Sequence, residues 1–239
     1  MSREDVSLLP PFLHPKRSAR WATLMLIVTM IVAWVGVGIN LNELRDLFAA
    51  ARGERVMMGS RVAQIYTNWI LLLTQLALVG VSGFSFIMWL YQVRANLRAF
   101  GARRMDYSRE WCILGFLIPG LNFVRPYQVT AEIWQASSPQ NLDPFDWRTI
   151  AISRLVPAWW AVCVACAGFE LMALLTSFNS GLSLPRLQVI AILNLLADTS
   201  AALACCLTIF MVSRVSDAQL DKWDRIESRG LLGGSSAPA

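Results

Sequence analysis

Residues 155–178, LVPAWWAVCVACAGFELMALLTSF, and residues 187–212, LQVIAILNLLADTSAALACCLTIFMV, are two apolar runs separated only by the eight residues NSGLSLPR at 179–186. A helix needs about 20 residues to cross the roughly 30 Å of a bilayer's hydrocarbon, and each run meets that length. Asn179, Gly181 and Pro185 in the connection are turn formers, so the two helices read as antiparallel neighbours joined by a tight turn. Pro157 falls in the first turn of its helix, where a missing N–H removes no hydrogen bond.

Working outward, two more runs of the same kind precede this pair, at 21–39 and 69–91. The first is too long for the apolar core of a signal peptide, and no small-x-small cleavage site follows it, so it reads as a span. Between them, Leu41, Leu44, Leu47, Phe48 and Ala51 recur at helical spacing among Glu43, Arg45 and Asp46. That pattern predicts a short amphipathic helix lying on the membrane face. A break near Gly53 follows, and Val56, Val62 and Ile65 lead helically into the second span. The composition agrees: 56% of the 239 residues are hydrophobic and 15% are charged, against about a quarter charged in a soluble domain. Mean hydropathy is +0.48. A net charge of +5 does not signal nucleic acid, because the basic residues flank the apolar runs and form no stripe of their own.

Those flanking charges give an orientation. With the N-terminus in the cytoplasm, sixteen Lys and Arg fall inside and five outside, the asymmetry that sets membrane topology. An even number of spans returns the C-terminus to the cytoplasm. Residues 1–20 are then a polar cytoplasmic tail, 21–213 a membrane domain, and 214–239 a cytoplasmic tail with a short charged helix at 217–229 and a disordered end at 233–239. Residues 111–124 are apolar for fourteen positions; as a helix they rise about 21 Å, short of a full crossing. Pro119-Gly120 interrupts them and Arg125-Pro126 closes them. They predict a partly immersed helical hairpin over 111–136 on the cytoplasmic side; a full crossing would move the C-terminus and its basic residues outside. The expected fold is all-α: a polytopic bundle of four transmembrane helices plus this hairpin.

Trp89-Leu90-Tyr91, Asn96, Tyr107-Ser108, Trp111, Pro119-Gly120-Leu121-Asn122, Arg125-Pro126-Tyr127-Gln128 and Glu132-Ile133-Trp134 resemble the core of a bacterial family of four-span membrane proteins catalogued as a domain of unknown function. The resemblance implies this architecture and a bacterial envelope location, and no reaction. Read physically, Asn96 and Asn122 satisfy helix ends or loop carbonyls. Arg125 suits a lipid phosphate or a buried carboxylate, with Glu132 one candidate. Pro119 and Pro126 fix the turns, and Trp111 and Trp134 suit the interface. Maintenance of the hairpin explains these residues. The functional alternative is a lipid- or partner-docking surface made of Asn96, Trp111, Asn122, Arg125, Tyr127, Glu132 and Trp134.

Two acids lie inside spans. Glu170 is about 12 Å and Asp198 about 16 Å from the outer ends of their helices, so an antiparallel pair brings them to nearly one level. Asn194 is one turn from Asp198, and Gln75 lies on the second span. Intramembrane carboxylates suggest an ion path, a proton relay or a charged partner; the structural reading is interhelical hydrogen-bond glue. Cys163, Cys166, Cys205 and Cys206 lie in the third and fourth spans and Cys112 in the hairpin. In lipid they read as small packing residues, and neither metal nor cofactor is expected. His14 is the single histidine, and no phosphate-binding, serine-hydrolase, zinc-protease or dinucleotide motif occurs. The sequence thus points to a non-catalytic membrane scaffold or accessory subunit of an envelope complex, in contact with lipids and with a protein partner or further copies of itself. A small ion- or proton-conducting protein using Glu170 and Asp198 is the alternative.

Overall fold

The computed structural model of the chain describes residues 11–54, 58–140, 142–143, 146–178 and 183–229. Among these there are six α-helices and no strand: α1 (Lys16–Ala51), α2 (Met58–Ala99), α3 (Trp111–Leu117), α4 (Arg125–Ser137), α5 (Leu155–Phe178) and α6 (Leu184–Ser228). Single turns of 3-10 helix stand at Leu121–Phe123 and Trp147–Thr149. Four of the helices, namely α1, the Tyr66–Ala99 part of α2, α5 and α6, are long and apolar enough to cross a bilayer.

The ends of α1 and α2 follow from local chemistry. Gly53 and Gly101 have φ of +80° and +73°, a left-handed conformation that costs glycine nothing. Each closes its helix in the same way: Glu54 N donates to Ala49 O at 3.1 Å, and Ala102 N to Leu97 O at 3.0 Å. These bonds satisfy carbonyls that a helix end leaves free.

Two expected boundaries are corrected. The helix of the first span does not stop at Ile39; α1 is continuous to Ala51 over 36 residues, so there is no separate amphipathic helix on the membrane face. Nor is 217–229 a separate charged helix, because α6 runs unbroken for 45 residues, about 68 Å. Neither Gly nor Pro interrupts 40–51 or 187–229. The change from apolar to charged residues marks where a helix leaves hydrocarbon, not where its hydrogen bonding ends. The connection at 179–182 and the end of the chain from 230, whose last residues are expected to be disordered, lie outside the described residues.

The chain divides into two compact units, one made of the described parts of Met1–Thr23, Phe84–Pro157 and Ile209–Ala239, the other of Leu24–Gly83 and Ala158–Thr208. The second unit is built from segments of the four long helices. Its inward positions are mostly small, including Ala33, Gly36, Ala173, Ala191, Ala197 and Ala202, while Trp34, Ile70, Leu73, Leu76, Leu171 and Phe178 point outward. That is the reverse of a water-soluble bundle and is how helices pack in lipid, where small residues let backbones approach. A polar tie joins two of these helices: Trp159 Nε1 donates to Thr208 Oγ1 at 2.9 Å.

The first unit has an ordinary apolar core of Trp89, Leu90, Val93, Leu97, Val129, Ile133, Met211, Val212 and Val215, threaded by a polar network. Gln219, fully buried, donates to Val93 O at 2.9 Å and Ser137 Oγ at 3.0 Å. It accepts from Asn96 Nδ2 at 3.0 Å. Asn96 in turn pairs with the backbone of Leu13, accepting its N–H at 3.0 Å and donating to its carbonyl at 2.8 Å. Phe12 stacks on Trp223 with ring centroids 4.7 Å apart. Residues 11–15 are therefore not a free tail: a short apolar segment is docked onto α2 and α6.

Candidate functional site

The polar residues of the spans meet in the second unit. A cleft of about 280 Å³ is lined by Asn40, Asn68, Gln75, Glu170, Ser177, Asn194 and Asp198, with Trp69, Leu71, Leu72, Ala173, Leu174 and Ile190 as its apolar walls. Asp198, only 5% exposed, is the centre. Asn40 Nδ2 donates to its Oδ2 at 2.7 Å, and Gln75 Nε2 donates to its Oδ1 at 2.6 Å. Both carboxyl oxygens are thus engaged by amides from two other helices, which fixes the rotamer and the register of three helices at once.

Gly36 makes this closeness possible. A Cβ at position 36 would stand 2.3 Å from Asp198 Oδ2 and 2.9 Å from Gln75 Nε2, inside any van der Waals contact. The backbone of α1 is therefore the floor on which the carboxyl lies. Glu170 borders the same cleft but is exposed, and no hydrogen bond or ion pair reaches its carboxyl among the described residues. Asn68 Nδ2 donates to Glu43 Oε2 at 3.0 Å on the same unit. No Lys or Arg lines the cleft among the described residues.

Sequence reasoning named Glu170, Asp198, Asn194 and Gln75, and all four border this cleft. It missed Asn40 and Gly36. In the sequence Asn40 is the first residue past an apolar run, yet it lies on the same helix. Of the two amides near the acids in the sequence reading, Gln75 reaches Asp198, and Asn40 rather than Asn194 supplies the second donor.

The second set of candidates does not form one surface. Asn96 and Glu132 are buried in the first unit, so neither is available to a docking partner; packing against α6 and α2 covers them. Glu132 does not pair with Arg125, because it turns into the core toward Arg94, with Nε and Oε2 3.9 Å apart and both side chains 4% exposed. Its Oε1 accepts the Asp106 N–H, and Arg94 Nη2 donates to the Tyr107 carbonyl. Burial holds the Glu132 carboxyl above the usual range, opposed by the Asp106 N–H and by the Arg94 charge.

Arg125 instead lies over the rings of Trp111 and Tyr107, 5.1 and 5.2 Å from their centroids, and donates to Gln128 Oε1 at 3.0 Å. Asn122 accepts the Gly120 N–H at 3.1 Å, closing the turn of the hairpin. Tyr127 and Trp134 are half-buried. All five cysteines are free thiols, with Cys112 fully buried in the first unit.

Four membrane-crossing helices, small residues inside and large apolar residues outside define a multi-pass helical membrane protein. The family described as Domain of unknown function (DUF4328) matches residues 51–217. The chain belongs to that family. No curated protein and no solved structure matches the chain.

Proposed function

We propose that the protein is a non-catalytic scaffold or accessory subunit of a membrane complex, whose acidic cleft receives a cationic side chain from a partner's membrane helix. The observation that carries this reading is Glu170, exposed beside buried Asp198 with no hydrogen bond or ion pair of its own among the described residues. A carboxyl on a lipid-facing helix is costly without a counter-charge or a polar cover. Asn40 and Gln75 already serve Asp198, which leaves Glu170 as the group with an open position. A Lys or Arg entering the cleft would meet both carboxyls.

The test is purification of the tagged protein in mild detergent. Wild type is expected to retain one membrane protein in stoichiometric yield. Glu170→Gln is expected to lose it more than tenfold while keeping its own melting temperature, since an exposed amide replaces an exposed acid without disturbing packing. Equal recovery by both proteins, or no associated protein in wild type, counts against the proposal. A cation- or proton-conducting role is the second reading, supported by two carboxyls bordering one cleft. It requires flux through reconstituted vesicles of the protein alone that is lost in Glu170→Gln.

The orientation belongs to the same proposal: a cell membrane, with both termini in the cytoplasm, following the asymmetry of Lys and Arg. In a background lacking native cysteines, an impermeant thiol reagent applied to intact cells should label Glu54→Cys. Glu110→Cys and Ser228→Cys should react only after permeabilisation. Labelling of Ser228→Cys from outside would overturn the four-span topology.

A further inference from the structure

The hairpin of α3 and α4 has a built depth gauge in its own unit. Cys112 Sγ donates to Leu90 O at 3.9 Å. One turn further along α3, the Phe116 ring meets the Phe86 ring edge-on at 6.2 Å. Four residues forward on α3 correspond to four residues back on α2, so α3 runs antiparallel to the apolar stretch of α2. That stretch holds no charged residue from Trp69 to Tyr91. Phe86 is five residues inside its end, about 7 Å, and the tip of the hairpin continues past Phe116 in the same direction.

The tip is made for hydrocarbon. No charged residue occurs from Trp111 to Val124. Leu117 and Phe123 are 66% and 58% exposed, and Ile118, Leu121 and Val124 are exposed with them. A chain in lipid must satisfy its own backbone groups. Here five of the six N–H groups of 118–124 are met: those of Ile118, Asn122, Phe123 and Val124 donate to carbonyls of the tip and α3, and that of Gly120 to Asn122 Oδ1, leaving that of Leu121 without a hydrogen bond among the described residues. Pro119 has no N–H to satisfy.

Arg125 supports the same geometry. A Cβ on Gly115 would come within 3.1 Å of Arg125 Cβ, so the first residue of α4 lies beside Gly115, one turn deeper than Trp111. Its guanidinium nevertheless stacks over Trp111 and Tyr107. The side chain runs back toward the mouth of the hairpin, as a basic residue does when it snorkels from hydrocarbon to the headgroup layer.

We infer that residues 117–124 form a re-entrant tip, inserted between lipid acyl chains beside the end of the apolar stretch of α2, with Arg125 at the headgroup level. This goes beyond the proposed function and does not depend on it: loss of the partner or of flux leaves it unchanged, and its own failure leaves the acidic cleft unchanged.

The experiment uses the full chain, one copy per nanodisc, in phosphatidylcholine carrying a diazirine in the upper acyl chain. After illumination, peptide mass spectrometry maps the adducts. Leu73 and Leu76 on the exposed face of α2 are the internal standard for acyl contact. Adducts on 117–124 within threefold of that standard are the expected result. Adducts on Leu73 and Leu76 with none on 117–124 would overturn the inference, whether the tip then lies in water or is covered by protein.

Discussion

Replacing Arg94 by Met lowers the folding stability of the protein by about 3–5 kcal/mol, the usual cost of removing one member of a buried ion pair. The site explains the size. Glu132 is 4% exposed and, among the described residues, has Arg94 as its one cationic partner within 4 Å; without it the carboxylate keeps the backbone N–H groups of Asp106 and Tyr107 and no counter-charge. The Tyr107 carbonyl also loses its donor. Both losses fall on the segment that joins α2 to the hairpin, so the mouth of the hairpin should loosen as a unit. Glu132→Gln is the milder change, because its amide oxygen still accepts the Asp106 N–H. The double substitution Arg94→Met with Glu132→Leu should recover much of the loss, since an apolar pair of similar volume removes both desolvation penalties. Unfolding by steric trapping in detergent micelles measures all three. A single-site loss below about 1 kcal/mol would show that the two side chains are not coupled.

Gly36→Ala is the second large effect, and it acts on the cleft. The new methyl would stand 2.3 Å from Asp198 Oδ2, so the carboxyl must move. It is held by Asn40 at 2.7 Å and Gln75 at 2.6 Å, so moving it strands amide donors of α1 and α2. Overpacking costs about 1–3 kcal/mol and stranding even one of the two amides about 1–3 kcal/mol, which puts the expected loss at about 2–6 kcal/mol. Gly38 is the matched control: a Cβ there meets nothing within 4 Å, so Gly38→Ala should be neutral. A neutral Gly36→Ala would mean that α1 does not floor the cleft.

The architecture was largely legible because its signals are local and repeated. Apolar runs of sufficient length, breakers at Gly53 and Pro119-Gly120, and charges at the flanks each act on their own stretch of chain. The helix ends were less legible for a physical reason: hydropathy reports the solvent, whereas a helix ends where its hydrogen bonding is interrupted. That is why α1 outruns Asn40 and α6 outruns Arg214.

The acidic pair was visible because a carboxylate in an apolar run is anomalous by itself. The partners of Asp198 were half visible: Gln75 is a lone amide in a span, but Asn40 sits at a polarity boundary where an amide is unremarked. Gly36 carried no signal, since a glycine that lets two helices touch looks like any small residue of a membrane helix. The partner of Glu132 was not legible in the sequence for a geometric reason. Arg125 is two turns away on the same helix, about 10 Å of rise, whereas Arg94 reaches Glu132 from α2, where it had been counted only as a flanking charge. The docking of Phe12 and Leu13 onto Trp223 and Asn96 left no mark in a Pro-rich stretch that reads as a tail.

The most direct measurement of the central claim, that the acidic cleft is a seat for a partner's cation, is photo-crosslinking in native membranes from a benzoyl-phenylalanine introduced at Leu174, on the wall of the cleft. The account predicts one discrete protein adduct in the otherwise wild-type chain and its loss when Glu170→Gln is added. Crosslinks to lipid alone, or an adduct of equal yield in both, would contradict it.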